Sequence, residues 1–176
     1  MKTIPILCTL ASACCLISSC TIQRQTPFRE ADFANANRKG TGTVYGKAWT
    51  ELKDHSIHYA ESVDLAPVNA YTTEIVQQLV ENGRHLTPAD PRYDKYVRSV
   101  WTDKNGNFVF HNIPAGEYYI AAKAYYKHRV DNTDAEGIMY SYDVKRSQWI
   151  YHRFKMDEGD NIQITGWNQA SAQSEE

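Results

Sequence analysis

The sequence predicts an all-β domain: an antiparallel β-sandwich of seven or eight strands, with one short helix inserted after the second strand. Three observations carry this reading. From Gly40 onward, aromatic and β-branched residues concentrate, the residue types that fit a pleated, half-buried surface. Apolar and polar residues alternate at period two in short runs, and turn residues recur between the runs, as in sandwiches and barrels. A single segment changes to a helical period.

The first strand is expected at Thr43–Thr50, with Val44, Gly46 and Ala48 on one face and Tyr45, Lys47 and Trp49 on the other. The second, Tyr59–Ala66, turns Val63 and Leu65 to the core. In Thr72–Asn82 the apolar residues Ile75, Val76, Leu79 and Val80 fall at helical spacing. Thr72 or Thr73 can cap this helix, and Gly83 suits the residue after its end. The proline-broken stretch His85–Asp94 reads as a loop. Strands three (Tyr96–Thr102) and four (Asn107–His111) are expected to form a hairpin through Asp103-Lys104-Asn105-Gly106, because Asn-Gly tolerates positive φ. Strand five is Glu117–Tyr126, and later strands fall near Ile138–Val144, Gln148–Met156 and Asn161–Gly166. Phe108, Phe110, Tyr118 and Ile120 lie at period two on either side of the Ile113-Pro114-Ala115-Gly116 turn, so they share an inner face. Pro114 preorganises that turn, and Gly116 is free to adopt a backbone conformation that other residues avoid.

The chain before Gly40 is of another kind. Lys2 is followed by the uncharged apolar run Thr3–Ile17 and then by Ile17-Ser18-Ser19-Cys20. The run is shorter than the ~20 residues of a spanning helix. Small residues before a cysteine at this position form the pattern of a bacterial lipoprotein signal, to be set aside from the fold. Residues 1–19 are therefore expected to be removed, with Cys20 the lipid (palmitate-type acyl) attachment site and new N-terminus. Of the 176 residues, 157 then remain, with Cys20 their only cysteine and a formal charge of −3 in place of −2. That length supports a core without disulfides, and the charge argues against nucleic acid as a partner. Residues 20–39, polar and broken by Pro27, are expected to be a tether on which Phe28 or Phe33 could dock. Residues 40–167 form the domain, and 168–176 a polar tail.

The sharpest internal motif runs from Thr102 to Ile120 (TDKNGNFVFHNIPAGEYYI). It resembles the signature of carboxypeptidase regulatory-like domains, which share the transthyretin-like (prealbumin-like) sandwich. Gly40–Ala48 resembles their first strand. Val63–Pro67 with Tyr71–Glu74 resembles the second strand and crossover of a group of exported bacterial proteins. The resemblance implies a fold that hosts adhesins, linkers, sugar-binding modules and assembly modules. It implies no peptidase, since the zinc-ligand motifs of the catalytic part are absent.

The residues themselves point away from catalysis. His55-x-x-His58 has no third ligand at metal spacing. Asp103-x-Asn105-x-Asn107 places Gly106 and Pro114 where a calcium loop would need other residues. Lys47 alternates with core positions, so it faces away from any isopeptide partner. No Gly-x-Ser-x-Gly elbow occurs. The expectation is a non-enzymatic, lipid-anchored envelope protein without cofactor or metal. It would sit at the outer membrane, facing the periplasm or cell surface, and bind or scaffold an envelope protein through the Thr72–Asp94 insertion. The alternative is a carbohydrate-binding module, its candidate surface formed by Trp49, Trp101 and Trp149.

Overall fold

A computed structural model describes residues 21–169 and 173–174; the expected leader and lipid site, residues 1–19 and Cys20, lie outside the described residues. The domain is all-β, a sandwich of two sheets. The small sheet has the order β5-β1-β8, from β1 (Gly42–Lys47), β5 (Asn107–Ile113) and β8 (Asn161–Ile164). The large sheet is built on β7 (Met139–Met156), β6 (Gly116–Thr133) and β3 (Ile57–Pro67). Strands β2 (Trp49–Glu51) and β4 (Arg98–Trp101) pair β3, while β9 (Asn168–Gln169) and β10 (Gln173–Ser174) pair β7. The expected polar tail thus carries two short edge strands. Pairing between these strands is antiparallel except between β1 and β8. The Asp157–Asp160 turn accounts for the exception: it delivers the chain to the end of the small sheet where β1 starts, and Thr43 donates its N–H to Asp160 O at 2.8 Å.

Period-two alternation places the core correctly. Val44, Val63, Leu65, Phe108, Phe110, Tyr118 and Ile120 are all buried, with Ile113, Ile150, Met156 and Ile164 completing the layer. What differs is which strands pair. The expected first strand is two strands, β1 and β2, in different sheets, bent at the buried Ala48. Asn105-Gly106 does make a turn, closed by Gly106 N–H to Asp103 O at 2.9 Å. It connects the two sheets, since β4 pairs β3 and β5 pairs β1. Gly106 is required at this corner: its φ is +79°, and a Cβ would lie 2.7 Å from Ala48 O. Phe108 and Phe110 therefore face Tyr118 and Ile120 across the sandwich, not from a neighbouring strand of one hairpin. In the next turn Gly116 has no positive φ, and Asn112 takes the left-handed conformation at φ 58°. Tyr118 secures this turn by donating its hydroxyl to Pro114 O at 2.8 Å, and burial pushes its pKa up.

The insertion follows β3 as a helix, α1 (Ala70–Ile75), which continues as a wider π-helical turn over Val76–Glu81. Its cap is Asn69, whose side chain accepts the Thr72 N–H at 2.9 Å. Thr72 itself is buried, and Gly83 takes φ +62° after the helix. Val76 and Val80 pack on Tyr119, Trp149 and Tyr151, on the outer face of the large sheet.

Two further features go beyond the expected outline; in the first, the docking open to Phe28 or Phe33 extends to both rings and to the backbone around them. The segment foreseen as a tether is a packed strap. Phe33 is 1% exposed, in an aromatic cluster with Tyr71, Tyr93 and Tyr96 against which Phe28 also packs. Phe33 and Tyr96 rings lie 4.8 Å apart, and Phe28 meets Tyr71 edge-on at 5.4 Å, geometries that stabilise beyond simple burial. The other feature is an arm. The strands expected at Ile138–Val144 and Gln148–Met156 form the single 18-residue β7, paired with the 18-residue β6 from Gly116↔Met156 to Thr133↔Met139. Past Tyr126 this ribbon has left the sandwich. Its turn is held by Asp134, whose carboxylate accepts the amides of Glu136 and Ile138 at 3.2 and 2.7 Å.

Candidate functional site

The candidate surface is the outer face of the large sheet, and the register shows how its tryptophans lie. Trp149 on β7 is opposite Lys123 on β6, and Trp101 on β4 is opposite Ser62 on β3. The two share the outer face but stand three strands apart, roughly 14 Å at 4.8 Å per strand. What covers each of them differs. The insertion settles on Trp149, which is half-buried under Val76 and Val80. The Lys123 ammonium lies 5.7 Å from the centre of its ring. Tyr119 and Tyr151 share that cover. Trp49 is half-buried on β2, opposite Tyr59, in a separate cleft of about 430 Å³ with Tyr45, Lys47, Phe108 and Gln163. The three tryptophans do not form one platform.

Trp101 stands alone, with 80% of its surface exposed. Its edge strand alternates, so Val100 packs on the core and the indole must point out. It lines a shallow cleft of about 390 Å³ with Tyr59, Glu61, Thr102, Asp103 and Lys104. The cleft floor is fixed by Thr102, which donates its hydroxyl to Ala60 O at 2.6 Å and its N–H to Glu61 O at 2.9 Å. Asp103 holds the rim. Its carboxylate accepts the amides of Asn105 and Asn107 at 2.8 and 2.9 Å and the Asn107 side chain at 2.7 Å. The Asn107 side-chain and backbone donors hold its pKa below the usual carboxylate value. The cleft thus offers a ring face, a phenol, the Glu61 carboxylate and the Lys104 ammonium on a rigid backbone. These can stack on a planar or ring-shaped ligand and hydrogen-bond its hydroxyls.

The histidine pair offers nothing comparable. His55 lies against Glu51 at 2.7 Å, and His58 against the Ser56 hydroxyl at 3.1 Å. Among the described residues no three His, Cys, Asp or Glu side chains converge on a common point. Lys47 is exposed and lies 4.7 Å from the Tyr59 ring centre, and Glu117 pairs Arg153 at 2.6 Å.

The arm has no counterpart among the separate strands expected from the sequence. On it Val130, Tyr140, Tyr142 and Val144 occupy even positions, which continue the inner face of the large sheet beyond the small sheet. Tyr140 and Tyr142 stack at 6.1 Å and are 47% and 46% exposed, with Ile138 and Met139 more exposed still. At the arm's base a cleft of about 620 Å³ is lined by His58, Tyr125, Tyr126, Lys127, Asp143 and Lys145. The available signal was the alternation Tyr140, Tyr142, Val144, which resumes after Gly137 in phase with Gln148 and Ile150.

No family model matches the chain, and no curated protein is similar to it in sequence. The structure is similar to the crystal structure of a candidate carbohydrate-binding protein from Pseudomonas aeruginosa. The TM-score is 0.61 and the identity 21%, over 80% of this chain and 99% of that one. At that identity the likeness speaks for the fold.

Proposed function

We propose that this chain is a non-catalytic, lipid-anchored module of the bacterial envelope, of the carboxypeptidase regulatory-like kind, that binds carbohydrate at Trp101. The observation that carries the reading is the exposed indole, 80% accessible on a rigid edge strand and ringed by Tyr59, Glu61 and Lys104. An indole left open while the insertion covers Tyr119, Trp149 and Tyr151 on the same sheet face suits stacking on the apolar face of a sugar ring. The carbohydrate-binding candidate with a similar fold supports the same reading. The anchor is supported by Ile17-Ser18-Ser19-Cys20, and the outer membrane by Thr21, which is not aspartate, after the cysteine. Among the described residues no helix is long and apolar enough to cross a membrane.

The test is glycan-array screening followed by calorimetry on the best ligand. Trp101→Ala should weaken binding at least about tenfold, equivalent to about 1.4 kcal/mol, and Trp149→Ala should leave it within twofold or so of wild type. Equal losses from both would place the ligand elsewhere.

An envelope-protein partner is the second reading, and the arm favours it. The insertion spends Tyr71, Val76, Val80 and Tyr93 on internal packing, whereas Met139, Tyr140 and Tyr142 remain exposed. Crosslinking from the arm in intact envelopes tests it: capture that is lost in a Tyr140→Ser, Tyr142→Ser variant supports this reading.

A further inference from the structure

We infer that residues 21–36 seat the domain directly on the bilayer, with the loop of the insertion that follows Glu81 against the phospholipid headgroups. The inference rests on the proposed lipid at Cys20. What it adds is the absence of free chain between that lipid and the fold.

Docking begins with the second residue after the cysteine. Ile22 pairs with Leu86 in a parallel bridge; its N–H donates to His85 O at 2.7 Å, and its carbonyl accepts the Thr87 N–H at 2.9 Å. Arg24 donates its N–H to Thr87 Oγ1 and its guanidinium to Thr87 O, both at 3.1 Å, and stacks 4.6 Å from the Tyr71 ring centre. The amides of Gln25 and Thr26 donate to the two carboxylate oxygens of Glu74, each at 2.7 Å. Phe28 and Phe33 then enter the aromatic cluster, and Tyr96 donates its hydroxyl to Glu30 at 2.6 Å. Each successive turn of the strap is therefore bonded to the insertion.

Reach decides the consequence. A free coil over residues 21–39 would hold the domain roughly 20–25 Å from its anchor. With the strap docked, Thr21 is one Cα step, about 3.8 Å, from the acylated residue. The headgroup layer is only about 5–8 Å thick. Arg84, His85 and Pro88, exposed beside Ile22, then lie at headgroup level, where a guanidinium meets lipid phosphate. The arm sits at the opposite end of β6: the insertion packs at Tyr119, and the ribbon ends at Thr133. A fixed seat would present Trp101 and the arm in a constant orientation to the envelope space.

The experiment uses the mature lipoprotein, purified from membranes and reconstituted in phosphatidylethanolamine–phosphatidylglycerol vesicles carrying headgroup nitroxide lipids. Single cysteines, His85→Cys and Met139→Cys, receive a fluorophore, since an acylated Cys20 has no free thiol. Quenching should be several-fold stronger at position 85 than at 139. Releasing the strap with Phe28→Asp and Glu74→Ala together should bring the two positions close to equal, while the unfolding midpoint shows the sandwich still folded. A wild-type chain that reacts with maleimide once its mass shows residues 1–19 to be gone has an unmodified Cys20, and a chain that keeps those residues has no lipoprotein processing; either overturns the anchor and the seating together. A blocked thiol with equal quenching at both positions overturns the seating alone. So does a released strap that leaves the quenching ratio unchanged.

Discussion

Replacing Phe110 by alanine tests the central packing argument at one position. Phe110 is 3% exposed on β5, paired with Val44 on β1, and its ring meets Phe108 at 6.0 Å and 64°. The substitution removes a phenyl ring that neighbours on two sheets cannot collapse to replace, a change that costs about 3–5 kcal/mol. For a domain of this size each kcal/mol lowers Tm by about 2–4 °C, so the midpoint should fall by roughly 6–20 °C. Val109, the next residue, points the other way and is 42% exposed; Val109→Ala should change stability by less than about 0.5 kcal/mol. Both are measured by urea unfolding at constant m, with calorimetry for Tm. A Phe110→Ala cost below about 1 kcal/mol, or equal costs at the two positions, would refute the face assignment and with it the two-sheet core.

Glu74 makes strap docking depend on pH. Burial raises its pKa, but the amides of Gln25 and Thr26 lower it more, so it lies below the ordinary 4.5. Its stabilisation of the strap is present in full above that ordinary value and fades as pH falls through the depressed one. Amide exchange at Gln25 and Thr26, followed by NMR, should accelerate below about pH 4.5 relative to the sheet amides and lose this pH dependence in Glu74→Ala. Cys20→Ser should accumulate as an unprocessed precursor that takes up no labelled palmitate; labelling equal to wild type would move the site. Trp149→Ala should destabilise the docked insertion by about 1–2 kcal/mol through lost packing against Val76 and Val80; an unchanged unfolding midpoint would show the indole to be uncovered.

Much of the fold was legible because alternation is a local property. Val44, Val63, Leu65, Phe108, Phe110, Tyr118 and Ile120 each declare their face through their nearest neighbours in the chain. The helical period of Ile75, Val76, Leu79 and Val80 is equally local. Where a strand changes sheets is not, because it depends on a corner residue that composition hardly marks: Ala48 in one case and Gly106 in another. The Asn105-Gly106 turn is present but closes no hairpin, since positive φ at a glycine reverses the chain without specifying its partner. The strap was hidden for a related reason. It is held by backbone amides on Glu74 and Thr87 and by two aromatic rings in a polar stretch, and hydrogen bonds of that sort leave no trace in hydropathy.

The candidate site divides along the same line. From the sequence alone came the lipoprotein pattern at Cys20, the sandwich class, the inner face of the sandwich and the outward parity of Trp101 and Trp149, but not the second aromatic cluster of Phe33, Tyr71, Tyr93 and Tyr96. Only the tertiary structure decided that one of these indoles is covered and the other open. Trp149 and Trp101 occupy equivalent alternating positions on one sheet face, and the difference between them is a helix that starts at Ala70 and settles on β7 and not on β4. Exposure is set by what packs from outside the strand, across distances that chain order does not encode. The same holds for the arm, whose alternation reads as core until the small sheet is seen to end before it.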